Sequence, residues 1–400
     1  MTNFDTVIDR LSSNSVKWKR YGEDVLPLWV ADMDFGAPEP ILEALHQAVE
    51  HGIFGYEFPT RKLGETVAAR MEKLYGWRVN PEMVVATPGV IAGFYAAART
   101  VCQTGQGILV QPPVYPPFLS VHKNSALVCQ EAQLRMTTEG SILHYGVDFD
   151  EFGRAVNSGG AQTGMFLLCN PHNPTGQAYL QDDLRRMAEI CLRNQLIICS
   201  DEIHSELLLG GSSNPSQEAG RHTPIASLDP EIADRSITLI APSKTFNVPG
   251  LFCAFAILPN PELLKRYKET LEQMAMHVTS LGLTAAQAAY SGACDNWLAE
   301  LRTYLTGNRD FLSEYVRNEF EGIRLTNPEA TYLAWLDCNE LVRSGRIQGS
   351  PGEFFLKQAK VALNEGKEFG SGGEGFVRLN FGCPRKTLVE ALERMKASLA

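Results

Sequence analysis

Between about residues 83 and 258, short apolar, β-prone runs alternate with segments of helical period, and no other feature constrains the fold so tightly. The runs at 83–87, 107–111, 165–169, 196–199 and 236–240 are of strand length, and several end in Pro or Gly. Between two of them, Leu180, Leu184, Met187, Ala188 and Cys191 recur at helical spacing. Strand, helix, strand in repetition specifies a mostly parallel sheet covered by helices on both faces. In such open sheets ligands bind beyond the carboxyl ends of the strands, so the chemistry is sought in the residues that follow each run.

After about residue 285 the texture changes to a long helical stretch reaching Phe320, strands at 331–337 and 375–381, and an amphipathic helix carrying Leu388, Leu392, Met395 and Leu399. The expected class is α/β: a large domain with a mostly parallel sheet sandwiched by helices, taken as seven-stranded-type by the family resemblance given below and not by the five runs, plus a smaller α+β domain drawn from both chain ends. Residues 1–48 are expected to form an amino-terminal arm and part of the small domain, 49–285 the large domain and 286–400 the small one. The Gly-rich run 366–375 reads as a mobile loop.

Composition narrows the function. With 400 residues, 44% of them hydrophobic and 20% charged, the chain is an ordinary globular protein. A net charge of −10 argues against nucleic acid or an anionic membrane as a partner. No apolar window reaches signal-peptide or membrane-span length, so the expected location is the cytoplasm. Nine cysteines without paired spacing read as reduced thiols, and no metal site is expected.

The strand ends carry the candidates. The turn Gly89-Val90-Ile91 opens a helix whose free N–H groups and positive dipole end suit a phosphate. Tyr115 sits among four prolines that fix its backbone, so a flat ring is displayed at a strand terminus. Asn173 lies in Asn170-Pro171-His172-Asn173-Pro174-Thr175-Gly176, and Asp201 ends a buried strand, where an acid requires a cationic partner. Ser243 and Lys244 follow the strand broken by Pro242. A lysine held there among apolar neighbours loses hydration, which favours the neutral amine that attacks a carbonyl to form a Schiff base. Trp29, Val30 and Ala31 are candidate walls of a substrate site; Tyr56, alone, reads first as a core or interface aromatic. An amine, a carboxylate, an amide donor, a stacking ring and a phosphate cradle on one sheet edge are the set that pyridoxal 5′-phosphate needs.

In order along the chain, Tyr56, Gly89, Tyr115, the Asn-Pro-His-Asn-Pro-Thr-Gly run, Asp201 to His204, Ser243 to Asn247 and Arg378 to Gly382 resemble the motifs of fold-type I pyridoxal-phosphate enzymes of the aspartate aminotransferase superfamily. WVADMDF, His204 and SKTFN resemble its MalY/PatB group of cystathionine β-lyases, or C–S lyases. The resemblance implies that Lys244 bonds the cofactor aldehyde, Asp201 pairs with the ring nitrogen, Asn173 hydrogen-bonds the phenolic oxygen and Tyr115 stacks on the ring. It also implies that Gly89, Val90, Ile91 and Ser243 hold the phosphate, that Tyr56 reaches the phosphate of a neighbouring subunit in a homodimer, and that Arg378 grips the substrate α-carboxylate.

Two departures stand out. His204 occupies a position where aminotransferases usually carry tyrosine, and Phe252 one where a phosphate-binding arginine is often found. The implied activity is elimination of a thiol from a cystathionine- or cysteine-type amino acid, giving pyruvate and ammonia. Transamination shares Lys244, Asp201 and Arg378 and is the alternative; a regulator acting by protein contact is a third reading.

Overall fold

The computed structural model describes residues 2–210 and 221–400. Its larger sheet has seven strands: β1 (Val84–Thr87), β2 (Gly107–Val110), β3 (Val128–Glu131), β4 (Thr163–Cys169), β5 (Ile197–Asp201), β6 (Ser236–Ile240) and β7 (Ala254–Ile257). They lie in the order β1-β7-β6-β5-β4-β2-β3. Every pairing is parallel except those of β7, which runs antiparallel between β1 and β6.

The strands are apolar on both faces because both faces are covered. Ile108, Val110, Met165, Leu167, Ile237 and Leu239 pack with Phe94 and Tyr267 of the helices Val90–Val101 and Pro261–Gln273. The alternate residues Leu109, Phe166, Leu168 and Ile198 pack with Leu184, Met187 and Cys191 of the helix Gln181–Arg193. This two-residue alternation between clusters is the pleat of a strand buried on two sides. Gly93 allows the first helix to press on the sheet, since a Cβ there would stand 2.9 Å from the Leu239 side chain.

A second sheet has six strands, in the order Asn364–Glu365, Phe376–Asn380, Leu333–Asp337, Arg324–Thr326, Ile142–Gly146 and Arg135–Glu139. Its last two strands are a hairpin inserted between β3 and β4, joined to the carboxyl part through the parallel pair Leu325↔Ile142. Of the apolar amino-terminal run 26–35, only Leu26–Pro27 is regular strand, paired with Val361–Ala362. From there to Phe35 the backbone crosses the carboxyl edge of the large sheet as a strap. The helix Glu39–His51 follows, started by Pro40 in its first turn and ended by Gly52 at φ 75°.

The Gly-rich run is a packed turn rather than a mobile loop. Gly370 N donates to Lys367 O at 3.4 Å and Gly373 N to Gly370 O at 3.0 Å. A Cβ on Gly366 would lie 2.1 Å from Gly373 O, so close backbone contact is what calls for glycine there. Among the described residues no helix is long and apolar enough to cross a membrane.

Candidate active site

Beyond the carboxyl ends of β1, β2, β4, β5 and β6 lies a cavity of about 180 Å³. Its walls include Gly89, Tyr115, Asn173, Asp201, His204 and Lys244, with Ala31 of the strap and Phe252 at the rim. Val90, Ile91 and Ser243 also reach it. The sheet edge thus gathers nearly all of the residues that the motifs single out.

Each arrives for a local reason. Gly89 has φ 101° and ψ 158°, a conformation open to glycine, and it turns β1 into the helix Val90–Val101. The N–H groups of that helix's first turn have no acceptor within the helix and face outward as donors. Lys244 stands on a single helical turn, Pro242–Thr245, rather than on a loop; Pro242 ends β6 and occupies the first helical position, where its missing N–H costs nothing. Both Asn-Pro bonds of the Asn170–Gly176 run are cis. Gly176 (φ 74°) closes that run against Pro328.

The electrostatics are those of charges without opposite partners. Asp201 is 4% exposed, and its side chain accepts a hydrogen bond from Ile203 N at 3.1 Å. Burial pushes its carboxyl up to about 7, against the pull of Ile203 N–H and of Lys244. Burial, with help from the Arg378 charge, pushes the Lys244 amine down to about 8, and its Nζ donates to Ala31 O at 2.6 Å.

Arg378 is buried and bonds only neutral groups: Asn173 Oδ1 at 3.0 Å, Trp29 O at 2.9 Å and Asn364 Oδ1 at 2.5 Å, while its Nε has no partner. Burial draws this guanidinium down to about 10, so it stays charged at neutral pH. Asn173 gives its oxygen to Arg378, which leaves its Nδ2 to donate to a ligand. His204 is buried with an unpartnered Nδ1, its ring 6.0 Å from that of Tyr332, and burial plus the Lys244 and Arg378 charges keep it neutral.

These features fit pyridoxal phosphate. A buried carboxylate lacking a cation suits a protonated ring nitrogen, the lowered lysine amine suits an aldehyde, and Asn173 Nδ2 suits a phenolic oxygen. The phosphate end is thinner, because among the described residues lining the cavity Lys244 is the only Lys or Arg.

Four candidates stand otherwise than as cavity-lining side chains, among them buried Arg378, which meets the lining through Asn173. Trp29 and Val30 come to the site through their carbonyls, taken by Arg378 and by Asn380 Nδ2 at 2.6 Å. The Trp29 indole instead donates to Lys17 O at 3.1 Å. Tyr56 is fully exposed, in a segment with exposed Ile53, Phe54 and Phe58. Residues that the sequence reading missed are Asn247, Asn364, Asn380 and Tyr332. Asn247 and Asn380 lay inside the SKTFN and RLNFG strings, so position within a motif was the available signal; Tyr332 and Asn364 carried none.

Comparison with known proteins agrees with this geometry. The family model for aminotransferase class I and II matches residues 23–395. The chain is 38% identical to cystathionine beta-lyase PatB of Bacillus subtilis, covering 100% of both chains. It is 30% identical to protein MalY of Escherichia coli, covering 97% of this chain and 96% of that one. The crystal structure of cystalysin from Treponema denticola, which contains a pyridoxal 5′-phosphate cofactor, superposes with a TM-score of 0.90 at 30% identity, covering 100% of this chain and 99% of that one. By family match and by full-length likeness, this chain belongs to the class I and II aminotransferase family, in the group that holds PatB and MalY.

Proposed function

We propose that this protein is a pyridoxal-phosphate-dependent C–S β-lyase that removes a thiol from cystathionine- or cysteine-type amino acids, leaving pyruvate and ammonia. The observation that carries the reading is the pair of unmatched charges on one site: a buried acid, Asp201, and a buried cation, Arg378, each bonded only to neutral groups. A ring cation beside the first and an amino-acid carboxylate beside the second complete both, and a charge buried without its counterion is otherwise costly. The full-length likeness to PatB, a cystathionine beta-lyase, favours elimination over transamination.

When bound, pyridoxal phosphate supplies the electron sink that acidifies the substrate Cα–H. The chain supplies the rest. Arg378 fixes the α-carboxylate and so orients Cα. Lys244, whose amine burial makes neutral above about pH 8, takes the Cα proton. Asp201 keeps a positive charge at the far side of the cavity, and Tyr115, Asn173 and His204 fill its remaining walls. Gly89, Val90, Ile91 and Ser243 offer donors to phosphate.

The same proposal includes an arm at 1–48, a cofactor-bearing body at 49–285 and a carboxyl part at 286–400. It includes a homodimer in which the exposed Ile53–Phe58 segment docks on a second copy and Tyr56 completes that copy's phosphate site. Apolar residues exposed in such a run are what an interface buries. A cytoplasmic setting accords with nine free cysteines.

The test is to load purified protein with pyridoxal phosphate, add cystathionine or cysteine, and follow pyruvate without any 2-oxo acid acceptor. Pyruvate released by the wild type and abolished by Lys244→Ala supports the lyase; strict dependence on an acceptor overturns it in favour of transamination. Light scattering should return twice the chain mass, and Phe54→Ser with Phe58→Ser should halve it.

A further inference from the structure

The backbone carbonyls of the strap over the site are gripped by two asparagines. Asn247, three residues after Lys244, donates through Nδ2 to Met33 O and Phe35 O, both at 2.8 Å, and accepts from Met33 N at 2.9 Å. Asn380, two residues after Arg378, donates through Nδ2 to Val30 O at 2.6 Å and Asp32 O at 2.7 Å, and accepts from Gly382 N at 2.7 Å. Ala31, flanked by the two residues that Asn380 holds, accepts through its O both from Lys244 Nζ at 2.6 Å and from Tyr332 OH at 2.9 Å, while Trp29 O, one residue ahead of them, accepts from Arg378. Behind the strap, Asp34 is tied to Arg10 Nη1 at 2.6 Å and to buried Lys17 Nζ at 2.8 Å, and Asp32 to Arg10 Nη2 at 2.8 Å.

We infer that Asn247 and Asn380 are positioning residues for the reaction: they fix the carbonyls of Trp29 and Ala31, and through them the guanidinium of Arg378 and the resting place of the Lys244 amine. The inference rests on the proposed role of Lys244 as the proton acceptor at Cα, and it deepens that reading. An amide that donates to two carbonyls two residues apart on one strap sets carbonyl direction as well as distance. A side chain released from cofactor linkage needs one defined acceptor if it is to wait beside Cα rather than wander. Ala31 O is that acceptor in the structure, and its other bond, from Tyr332, keeps it pointed inward. Neither clamp touches the cavity itself, so their effect passes through the strap.

The discriminating variants are Asn247→Asp and Asn380→Asp. Each keeps size and the accepting oxygen but removes the two donors, and Asp tolerates the left-handed backbone that Asn247 adopts at φ 55°. Tyr332→Phe is a milder companion that removes one bond to Ala31 O. Three readouts are taken on protein loaded with pyridoxal phosphate and, for the last, on stripped protein: melting temperature and cofactor absorbance, exchange of the Cα hydrogen of L-alanine with D2O followed by NMR, and amide exchange of the peptide covering residues 28–35.

L-Alanine has no leaving group, so its exchange reports Lys244 whether the enzyme eliminates or transaminates. The expected result is faster amide exchange in the strap and Cα exchange slowed on the order of 10²-fold per bound cofactor in the Asp variants, with a smaller loss in Tyr332→Phe. Cα exchange within twofold of wild type per bound cofactor overturns the inference, whether or not melting temperature falls. If wild type exchanges Cα hydrogen but releases no pyruvate from cysteine, the lyase reading has failed while the clamp is still judged by the same exchange rates.

Discussion

Replacing Asp201 by asparagine should stabilise the cofactor-free protein while disabling it. The Asp201 carboxylate is 4% exposed, with one backbone donor and no bonded cation, and burial moves its pKa from the ordinary 3.8 to about 7. At about 1.4 kcal/mol per pH unit, that difference amounts to a penalty of about 4 kcal/mol on the charged form. The direction with pH follows from proton linkage. A carboxyl whose folded pKa is raised holds its proton in the folded chain while the unfolded chain has lost it, so folding weakens as pH rises from about 4 to about 7 and stays weakened above.

A neutral amide in place of the carboxyl carries no such penalty, so the variant's advantage should be absent near pH 4 and full above pH 7. For a chain of 400 residues, about 4 kcal/mol is about 5 °C in melting temperature. Calorimetry of stripped wild type and Asp201→Asn at pH 5 and pH 8.5 measures it. On adding pyridoxal phosphate the order should reverse, because only the aspartate gains a ring cation. A stripped variant that melts below wild type at pH 8.5, or a gap that does not change with pH, refutes the argument.

Two other perturbations follow from named contacts. Phe252 is 61% exposed at the rim of a cavity whose lining has no arginine, so Phe252→Arg should tighten pyridoxal phosphate about tenfold by a charge-assisted bond to phosphate; an absorbance titration of stripped protein that shows no gain would place the phosphate elsewhere. Gly176→Ala should cost about 3 kcal/mol in urea unfolding, because its φ is 74° and the new Cβ would sit 2.5 Å from Pro328 Cβ.

The parts of this molecule legible in the sequence are those in which a side chain both stops an element and does chemistry. Pro242 ends β6 and sets Lys244, Asp201 is the last residue of β5, and Gly89 turns β1 into a helix, so strand ends and site residues were the same positions. The strap escaped because its contribution is a row of backbone carbonyls, which any residue carries. The strand Arg135–Glu139 escaped because all five of its residues are exposed, leaving no apolar alternation to mark a strand. Glycines at 366–375 suggested freedom when the requirement was room, a difference that only the facing backbone discloses. Phe252 and His204 were visible as departures, but their exposure and missing partners were not.

The hairpin inserted between β3 and β4 has a consequence for how the chain can be cut. A polypeptide starting at residue 286 would bring four strands of the six-stranded sheet and leave Arg324–Thr326 as a bare border, its parallel neighbour Ile142–Leu143 left behind on the other piece. Such a border pairs readily with another copy of itself. Neither piece is a self-sufficient module, and during synthesis the hairpin edge at Ile142–Leu143 must wait for a partner strand that emerges roughly 180 residues later.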